Sequence, residues 1–325
     1  MMTPLGWAAS RWQLTPRALR WASTAALVVS IVIIFTGGLV RVTGSGLGCP
    51  DWPTCDGTSI ASTPALGIHG VIEFGNRLLT TIIVIAVGWV IIAARLQRPR
   101  VRSLTRLAWS QFWLVIANAV AGGVSVLAEL NPWVVALHFV LAIALLATTT
   151  LTWHRVHEDR DIAATAPTSR TRRLSWVLVA STVLLILVGT LVSGSGPHAG
   201  DSADVPRMGF DWATVAWIHG GVGAIVAVVA VILLLSLGAG ERDRLIRRRL
   251  AIFLVVFAAQ GAAGVIQSLT GLPEAVVSFH LLGAALVWVG ALRVLLDVNP
   301  YLFARVGFRQ PSVASALPDN RVPSL

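Results

Sequence analysis

The sequence predicts an all-α polytopic membrane protein, with eight transmembrane helices arranged as two pseudo-symmetric four-helix bundles. The 325-residue chain is 55% hydrophobic and 12% charged, and its mean hydropathy is +0.77. A soluble domain carries roughly twice that charged fraction. Runs of about 20 apolar residues recur along the whole chain, as membrane-spanning helices require. Short motifs that repeat at a fixed spacing predict the division into two halves.

The apolar runs define the predicted spans and the domain organisation. The eight spans are predicted at residues 22–42, 66–94, 105–127, 133–153, 174–194, 213–238, 249–269 and 274–296. They divide the chain into an N-terminal tail (1–21), an N-terminal four-helix half (22–153), a linker (154–173), a C-terminal four-helix half (174–296) and a polar tail predicted to be disordered (297–325). Because no cleavage site follows a short apolar core near the start, the first span is expected to be retained.

The distribution of basic residues predicts the orientation of the chain. All 25 basic residues are arginines, and 15 of them lie in or at the edges of the loops after the second, fourth and sixth spans. The opposite loops carry Arg41 and Arg207. The positive-inside rule therefore predicts a multi-pass protein of a bacterial-type plasma membrane, with both termini in the cytoplasm. The same one-sided pattern argues against nucleic acid as a partner, despite the net charge of +10.

The two cysteines, Cys49 and Cys55, occur together in the segment GCPDWPTC. The predicted topology places them outside the cytoplasm, where a disulfide can persist. A metal-binding clip is the alternative, but the loop lacks further thiol or imidazole ligands. The sequence favours the disulfide, whether permanent or redox-active.

Repeated motifs indicate an internal duplication. VTGSG at 42–46 recurs as VSGSG at 192–196, and IHG at 68–70 recurs at 218–220, both 150 residues later. NPWVVALHFVLA also resembles LPEAVVSFHLLGA, 142 residues further on. Chance matches of small residues are the alternative, but the shared histidines argue against chance. Duplicated halves of this kind carry equivalent sites in each half.

Four of the seven histidines are predicted to lie at one depth. Each follows a helix-start signal by about six to eight residues, which places it roughly 9–12 Å into the helix. They are His69, His138, His219 and His280. A single membrane histidine usually forms a packing hydrogen bond, but two per half are suited to hold a haem iron axially. Zinc fits less well, since no thiolate or carboxylate set accompanies each pair.

The other histidines are interpreted differently. His154 and His157 are expected to be solvated in a cytoplasmic loop, and His198 lies in the outer segment GSGPHAGD.

One half contains a carboxylate that the other lacks. His69, Glu73 and Asn76 have the spacing of residues on one helix face. In the second half, Gly223 and Val226 occupy the positions of Glu73 and Asn76. This asymmetry suggests one reactive site and one passive cofactor site. Alternatively, Glu73 and Arg77 form an ion pair whose charges neutralise each other.

The segments GGLVRVTGSGLGCPDWPTCDG, IEFGNRLL and GSGPHAGD, with the histidines that follow, resemble the haem A synthase family across all eight spans. The resemblance implies an oxidoreductase that converts a ring methyl of haem O to the formyl group of haem A by successive hydroxylations. The product serves cytochrome oxidase. The family's haem b cofactor maps onto His219 and His280, and its essential glutamate maps onto Glu73.

The substrate site departs from the family pattern. Asn76 stands where the family's E-x-x-H-R motif has a histidine, and asparagine is a poor iron ligand. The duplication suggests His69 as the replacement, so His69 and His138 are the predicted ligands of the haem O iron. Arg41 and Arg77 are candidates to pair with haem propionates, although Arg41 is also placed to reach the membrane surface as an interfacial residue.

Other function classes remain open at this stage. A di-haem b-type electron-transfer protein would need the four histidines but not Glu73, and a haem carrier would leave its ligand unaltered. A purely structural membrane protein would bind no haem. The resemblance further implies a haem O synthase and the cytochrome oxidase assembly machinery as protein partners, with membrane lipid around the chain and a homo-oligomer as an open option.

Overall fold

The computed structural model describes residues 3–157, 167–198, 200–201 and 204–300. Parts of the predicted linker (158–166) and of the predicted tail (301–325) lie outside these residues. The described residues form nine α-helices: α1 (Pro4–Arg11), α2 (Pro16–Val42), α3 (Gly67–Arg95), α4 (Arg102–Leu127), α5 (Pro132–His157), α6 (Ser169–Ser195), α7 (Trp212–Leu235), α8 (Glu241–Leu269) and α9 (Glu274–Val298). A 3₁₀ turn at Pro64–Leu66 precedes α3.

Within the described residues, the eight helices α2–α9 are long and apolar enough to cross a membrane. The predicted all-α class and the eight spans are therefore confirmed. Several helices begin earlier than predicted. Thr15 caps α2, where its hydroxyl accepts a hydrogen bond from Ala18 N at 3.4 Å, and α8 begins at Glu241. A hydropathy pattern identifies only the apolar part of a helix. Helices α2 and α8 also include the charged residues that precede this part, as expected for segments that extend into the headgroup region.

Helix α1 was not predicted. Its first turn is capped by Thr3, whose hydroxyl accepts a hydrogen bond from Gly6 N at 3.1 Å. Arg98 binds its last turn by donating to the carbonyl oxygens of Ala9 and Ser10, both at 3.0 Å. The helix is short and amphipathic, so the search for long apolar runs did not detect it.

The four helices α2, α5, α6 and α9 form the centre of the molecule. Helix α2 contacts α3, α5 and α9, and α9 contacts α5, α6 and α8. The larger apolar core extends from Ile143 of α5 to Leu178 of α6 and Trp288 of α9. The indole Nε1 of Trp288 donates to the carbonyl oxygen of Ile143 at 3.1 Å. We call the contact region among α2, α5, α6 and α9 the central seam. Helices α3 and α4 lie on one side of it, and α7 and α8 lie on the other.

The predicted helix-start signals operate as expected. Asp211 caps α7 by accepting a hydrogen bond from Thr214 N at 2.8 Å, and Pro132 is the first residue of α5. Helices α4 and α8 end at Leu127 and Leu269, 142 positions apart, which is the spacing of the sequence repeat. Two loops on the same side matter for the site, the α2–α3 loop and the α6–α7 loop.

Candidate functional site

The α2–α3 and α6–α7 loops are joined to each other. Gly46 N donates to the carbonyl oxygen of Gly200 at 2.7 Å. Leu47 N donates to Oδ2 of Asp201 at 3.1 Å, and Ser45 forms an isolated antiparallel bridge with Asp201. The loops that carry the two repeated motifs therefore form one continuous cover over this end of the helices.

Arg41, a predicted propionate partner, reinforces this junction. Its Nε donates to the carbonyl oxygen of His198 at 2.8 Å, and its Nη2 donates to that of Ser193 at 2.6 Å. Within the described residues, its Nη1 makes no hydrogen bond. Arg207 binds the carbonyl oxygen of Gly196 nearby. Two guanidinium groups therefore lie at the end of α6, beneath the joined loops.

Cys49 and Cys55 form the predicted disulfide, with their Cα atoms 4.4 Å apart and both residues fully buried. The disulfide interpretation is confirmed, and a metal clip is excluded because the two sulfurs are bonded to each other. The loop lies tightly on the start of α3. A side chain at Gly48 would overlap the carbonyl oxygen of His69, so only glycine fits at this position.

Arg77 uses all five of its N–H groups, three of them to bind the disulfide loop and two to bind Glu73. Nη1 donates to the carbonyl oxygens of Asp51 at 3.0 Å and Thr54 at 2.9 Å. Nη2 donates to Cys49 O at 3.1 Å and to Glu73 Oε1 at 2.6 Å, and Nε donates to the same Oε1 at 3.1 Å. A guanidinium group has five N–H donors. Arg77 therefore has no donor left for a haem propionate in this arrangement.

Glu73 is buried under the same loop, at 5% exposure. Its Oε2 accepts a hydrogen bond from Cys49 N at 2.7 Å, while Oε1 accepts from Arg77. The ion pair that formed the alternative interpretation of these two residues is thus present. A carboxylate oxygen has two lone pairs, so Oε2 retains one acceptor position. The pairing with Arg77 orients the carboxylate and leaves one lone pair of Oε2 unused.

His69 is held differently from the other three membrane histidines. It is exposed, and its Nδ1 lies 2.9 Å from Oγ of Ser45, which in turn lies 2.9 Å from Oγ1 of Thr43. Ser45 belongs to the repeated TGSG motif but was not predicted as a site residue. Its partnership with His69 follows from the close contact between the loop and the start of α3.

Each of the other three histidines packs its ring against a glycine of a neighbouring helix. A Cβ atom at these glycines would lie 3.1–3.2 Å from the histidine Cε1, tighter than ordinary van der Waals contact. The pairs are His138 with Gly122, His219 with Gly189, and His280 with Gly264. Nδ1 of each of these rings is buried, and each ring interacts with the backbone of the residue four positions before its glycine: Asn118 for His138, Leu185 for His219 and Gln260 for His280. A backbone acceptor for one ring nitrogen leaves the other nitrogen for a ligand.

The predicted pair in the second half is brought together. The ring centroids of His219 and His280 lie 6.5 Å apart, and their planes meet at 64°. Metal–imidazole bonds are about 2 Å long, so two rings on opposite sides of one metal have centroids roughly 6 Å apart. The observed spacing fits a bis-imidazole iron site. No ring contact of this kind joins His69 and His138 in the part of the chain that the structure describes.

The residue on which His219 packs also differs between the halves. Gly189 contacts His219, and the position 150 residues before Gly189 is Leu39. The repeat therefore does not reproduce the glycine on which His219 packs, and His69 has a different partner, the hydroxyl of Ser45.

Gln260 of α8 is a site residue that the sequence did not reveal. Its Nε2 donates to the carbonyl oxygen of His280 at 2.6 Å. Its side chain occupies space that a Cβ at Gly283 would overlap. The equivalent residue in the first half, Asn118, bonds instead within its own helix, to the carbonyl oxygen of Leu114 at 2.8 Å. The second half therefore has a side-chain hydrogen bond to the backbone of His280, whereas the equivalent amide of the first half, Asn118, bonds within its own helix.

The tip of the disulfide loop lies on α4. The indole of Trp52 packs so closely on Gly123 that a Cβ there would overlap the ring. The adjacent Gly122 contacts His138. The loop therefore touches helix α4 one residue away from the glycine on which a predicted haem ligand rests.

Two further predictions about polar residues are resolved by the structure. Asn76, which replaces the family's histidine, accepts a hydrogen bond from Oγ1 of Thr36 on α2 at 2.8 Å. The expectation that His154 is solvated in a loop was wrong. Helix α5 continues to His157, and His154 is buried at 5% exposure with its Nε2 3.8 Å from Oδ1 of Asp297 on α9.

Comparison with known proteins gives consistent results. The model of a family described as cytochrome oxidase assembly protein (COX15-CtaA) matches residues 19–292. A heme A synthase from Staphylococcus epidermidis is 24% identical over 277 residues, covering 81% of this chain and 90% of the relative. A heme A synthase from Symbiobacterium thermophilum is 30% identical over 277 residues, covering 76% of this chain and 85% of the relative.

Proposed function

We propose that this chain, which belongs to the cytochrome oxidase assembly protein family, is a haem A synthase that oxidises the ring methyl of haem O to a formyl group. The relatives named heme A synthase support a role in haem A biosynthesis. The observation that carries the proposal is the asymmetry of the two halves. One half has a closely spaced histidine pair, and the other has a buried carboxylate beneath its loop cover.

We assign a haem b cofactor to the second half, where His219 and His280 would hold its iron. The support is the 6.5 Å separation of the ring centroids and the burial of Nδ1 of each ring between helices. When bound, this cofactor supplies one-electron oxidation and reduction. Gln260 holds the backbone of His280 in place, and Gly189 and Gly264 leave the space that the two rings occupy.

We assign the substrate haem O to the first half, with His138 and His69 as its iron ligands. The hydrogen bond between Nδ1 of His69 and Ser45 supports this assignment, because a bond at one ring nitrogen orients the other toward a metal. Arg41 is the proposed propionate partner, since its Nη1 makes no hydrogen bond within the described residues. Arg77 is assigned to holding the disulfide loop and Glu73.

Glu73 is the proposed catalytic residue. Each hydroxylation removes two electrons and two protons from the methyl carbon and water together, and adds the water oxygen to that carbon. An external electron acceptor takes up the two electrons of each step and is reduced. Two such steps give a geminal diol, which loses water to form the aldehyde. The remaining acceptor position on Oε2 of Glu73 is suited to take a proton from the attacking water, or to stabilise positive charge developing at the carbon. Arg77 fixes the direction of this oxygen.

The remaining aspects of the proposal concern location and partners. The eight spans make the chain a multi-pass membrane protein, and the one-sided arginines support cytoplasmic termini. The disulfide supports an oxidising compartment for the α2–α3 loop. We propose that a haem O synthase supplies the substrate, that cytochrome oxidase assembly receives the product, and that residues 22–153 and 174–296 are the two functional halves.

Expression of the full chain together with a haem O synthase tests the proposal. Haems are extracted from the membranes and separated by chromatography. The wild-type chain should yield haem A, whereas Glu73→Gln should yield at least about 100-fold less, as expected for the loss of a general base. Glu274→Gln is the matched control, because Glu274 is an exposed carboxylate at the start of α9.

The same experiment separates the other function classes. A haem carrier or a di-haem electron-transfer protein would yield haem B or haem O without haem A. Unchanged haem A formation by Glu73→Gln would contradict the role assigned to this residue.

A further inference from the structure

The start of α4 contains a cavity that the proposed reaction does not use. Its volume is about 690 Å³, and it opens to the surface. Three arginines and two tryptophans dominate its lining, together with two small hydroxyl residues. They are Arg100, Arg102, Thr105, Arg106, Trp109, Ser110 and Trp113. Apart from Arg100, these residues recur along one face of α4 at helical spacing.

The three guanidinium groups of this cavity have no partner of their own. Within the described residues, Arg100, Arg102 and Arg106 make no hydrogen bond or ion pair, whereas the nearby Arg98 binds two carbonyl oxygens of α1. Burial and the charges of Arg95 and Arg102 lower the pKa of Arg100. The cavity therefore concentrates positive charge that the protein does not neutralise.

The duplicated helix shows that this combination is specific to α4. At the spacing of 142 residues, Arg244 and Arg248 of α8 correspond to Arg102 and Arg106. The two tryptophans, however, correspond to Ala251 and Val255. The second half thus repeats the charges without the aromatic rings, and the cavity found near its helix start, which Arg249 and Arg293 line, has a volume of only about 60 Å³.

The position and chemistry of the cavity point to a lipid. Tryptophan is favoured where a membrane meets water, and Trp113 is 64% exposed on the outside of the bundle. Arginine forms paired hydrogen bonds with phosphate oxygens. Basic pockets at the cytoplasmic ends of spans recognise anionic headgroups. We propose that this cavity binds the phosphate headgroup of an anionic phospholipid, with Trp109 and Trp113 packed beside its glycerol and upper acyl chains.

Native mass spectrometry of the full chain in detergent tests this site. The probes are phosphatidylglycerol, phosphatidylcholine and inorganic phosphate, each titrated separately. Phosphatidylglycerol should bind, while the zwitterionic lipid and inorganic phosphate should bind at least tenfold more weakly. An arginine near an anionic headgroup contributes about 1 kcal/mol, so the double variant Arg102→Gln/Arg106→Gln should weaken phosphatidylglycerol binding roughly 30-fold.

The repeat supplies a matched control. Arg244→Gln/Arg248→Gln removes the same charges from the corresponding turn of α8 and should leave phosphatidylglycerol binding unchanged. Trp109→Ala/Trp113→Val introduces the residues of α8 and should also weaken the binding, while all arginines are kept. This second variant tests the site if the arginine variant fails to fold.

Three outcomes would overturn the proposal. Equal losses in the two arginine variants would show a general effect of charge, without a defined site. Equal binding of phosphatidylcholine would remove the requirement for an anionic headgroup. Equal binding of inorganic phosphate would identify a free anion as the ligand in place of a lipid.

Discussion

The histidines His69 and His219 occupy equivalent positions in the repeat, but only His219 packs on a glycine of the neighbouring helix. His219 packs on Gly189 and lies near His280, whereas Leu39 stands at the sequence position 150 residues before Gly189. His69 instead takes its orientation from Ser45. The same histidine in the same repeat therefore has a different environment in the two halves.

The glycine contacts lead to a prediction for the cofactor site. Gly264→Val places a side chain where Cε1 of His280 lies, so the variant should lose most of its bound haem b. Gly261→Val is the control, since nothing lies within 4 Å of a Cβ atom at that position on the same helix. The haem content of each purified protein can be measured by absorbance. Equal haem content in both variants would contradict the role given to Gly264.

A second prediction concerns Gln260. Gln260→Leu removes the hydrogen bond to the carbonyl oxygen of His280, which is worth about 1 kcal/mol, so haem b should bind roughly fivefold more weakly. Asn118→Leu removes the equivalent amide in the first half, which bonds within its own helix, and should leave haem b unaffected. The reduction potential of haem b should shift in the first variant alone. A shift in both would mean that the amides act only through packing.

At the level of elements, the disulfide loop depends on one side chain of α3. Arg77 donates to three loop carbonyl oxygens and to Glu73. Arg77→Lys retains the charge but replaces five donors in a planar fork with three at one nitrogen. The loop should therefore loosen, and mild reductant followed by a maleimide should label Cys49 and Cys55 several-fold faster. Haem A formation should fall in the same variant.

Arg98→Lys provides the control for this experiment. Arg98 also binds backbone carbonyl oxygens, but those of α1, at the opposite ends of the helices. Its replacement should not change the labelling rate. An unchanged rate in Arg77→Lys would show that packing of the buried cysteines holds the loop without the guanidinium.

For the molecule as a whole, structural features could be predicted from the sequence where they leave a long apolar run or involve a rare residue type such as cysteine. Eight apolar runs identified the spans, and two cysteines in one loop identified the disulfide. Contacts between distant residues were not accessible in this way. Gln260 and Gly189 are ordinary residues of membrane helices, and their roles arise only when a neighbouring helix presents a histidine to them.

The error concerning His154 has a physical cause as well. His154 was placed in solvent because hydropathy falls near the end of α5, yet the helix continues and packs His154 near Asp297 of α9. The propionate role of Arg77 stays a prediction, but its hydrogen bonds to backbone carbonyl oxygens of the folded loop could not be predicted, because no local sequence pattern reveals them.

The hydrogen bonds between the two loops suggest that the N-terminal and C-terminal halves would associate if they were expressed as separate polypeptides. Gly46 and Leu47 bond to residues of the α6–α7 loop, and Trp288 bonds to Ile143 across the central seam. Two polypeptides made by interrupting the gene between residues 158 and 166 should therefore find each other in the membrane and co-purify through a tag on either one. If only the tagged fragment is recovered, the two halves stay together because the linker joins them, and their non-covalent contacts are not sufficient.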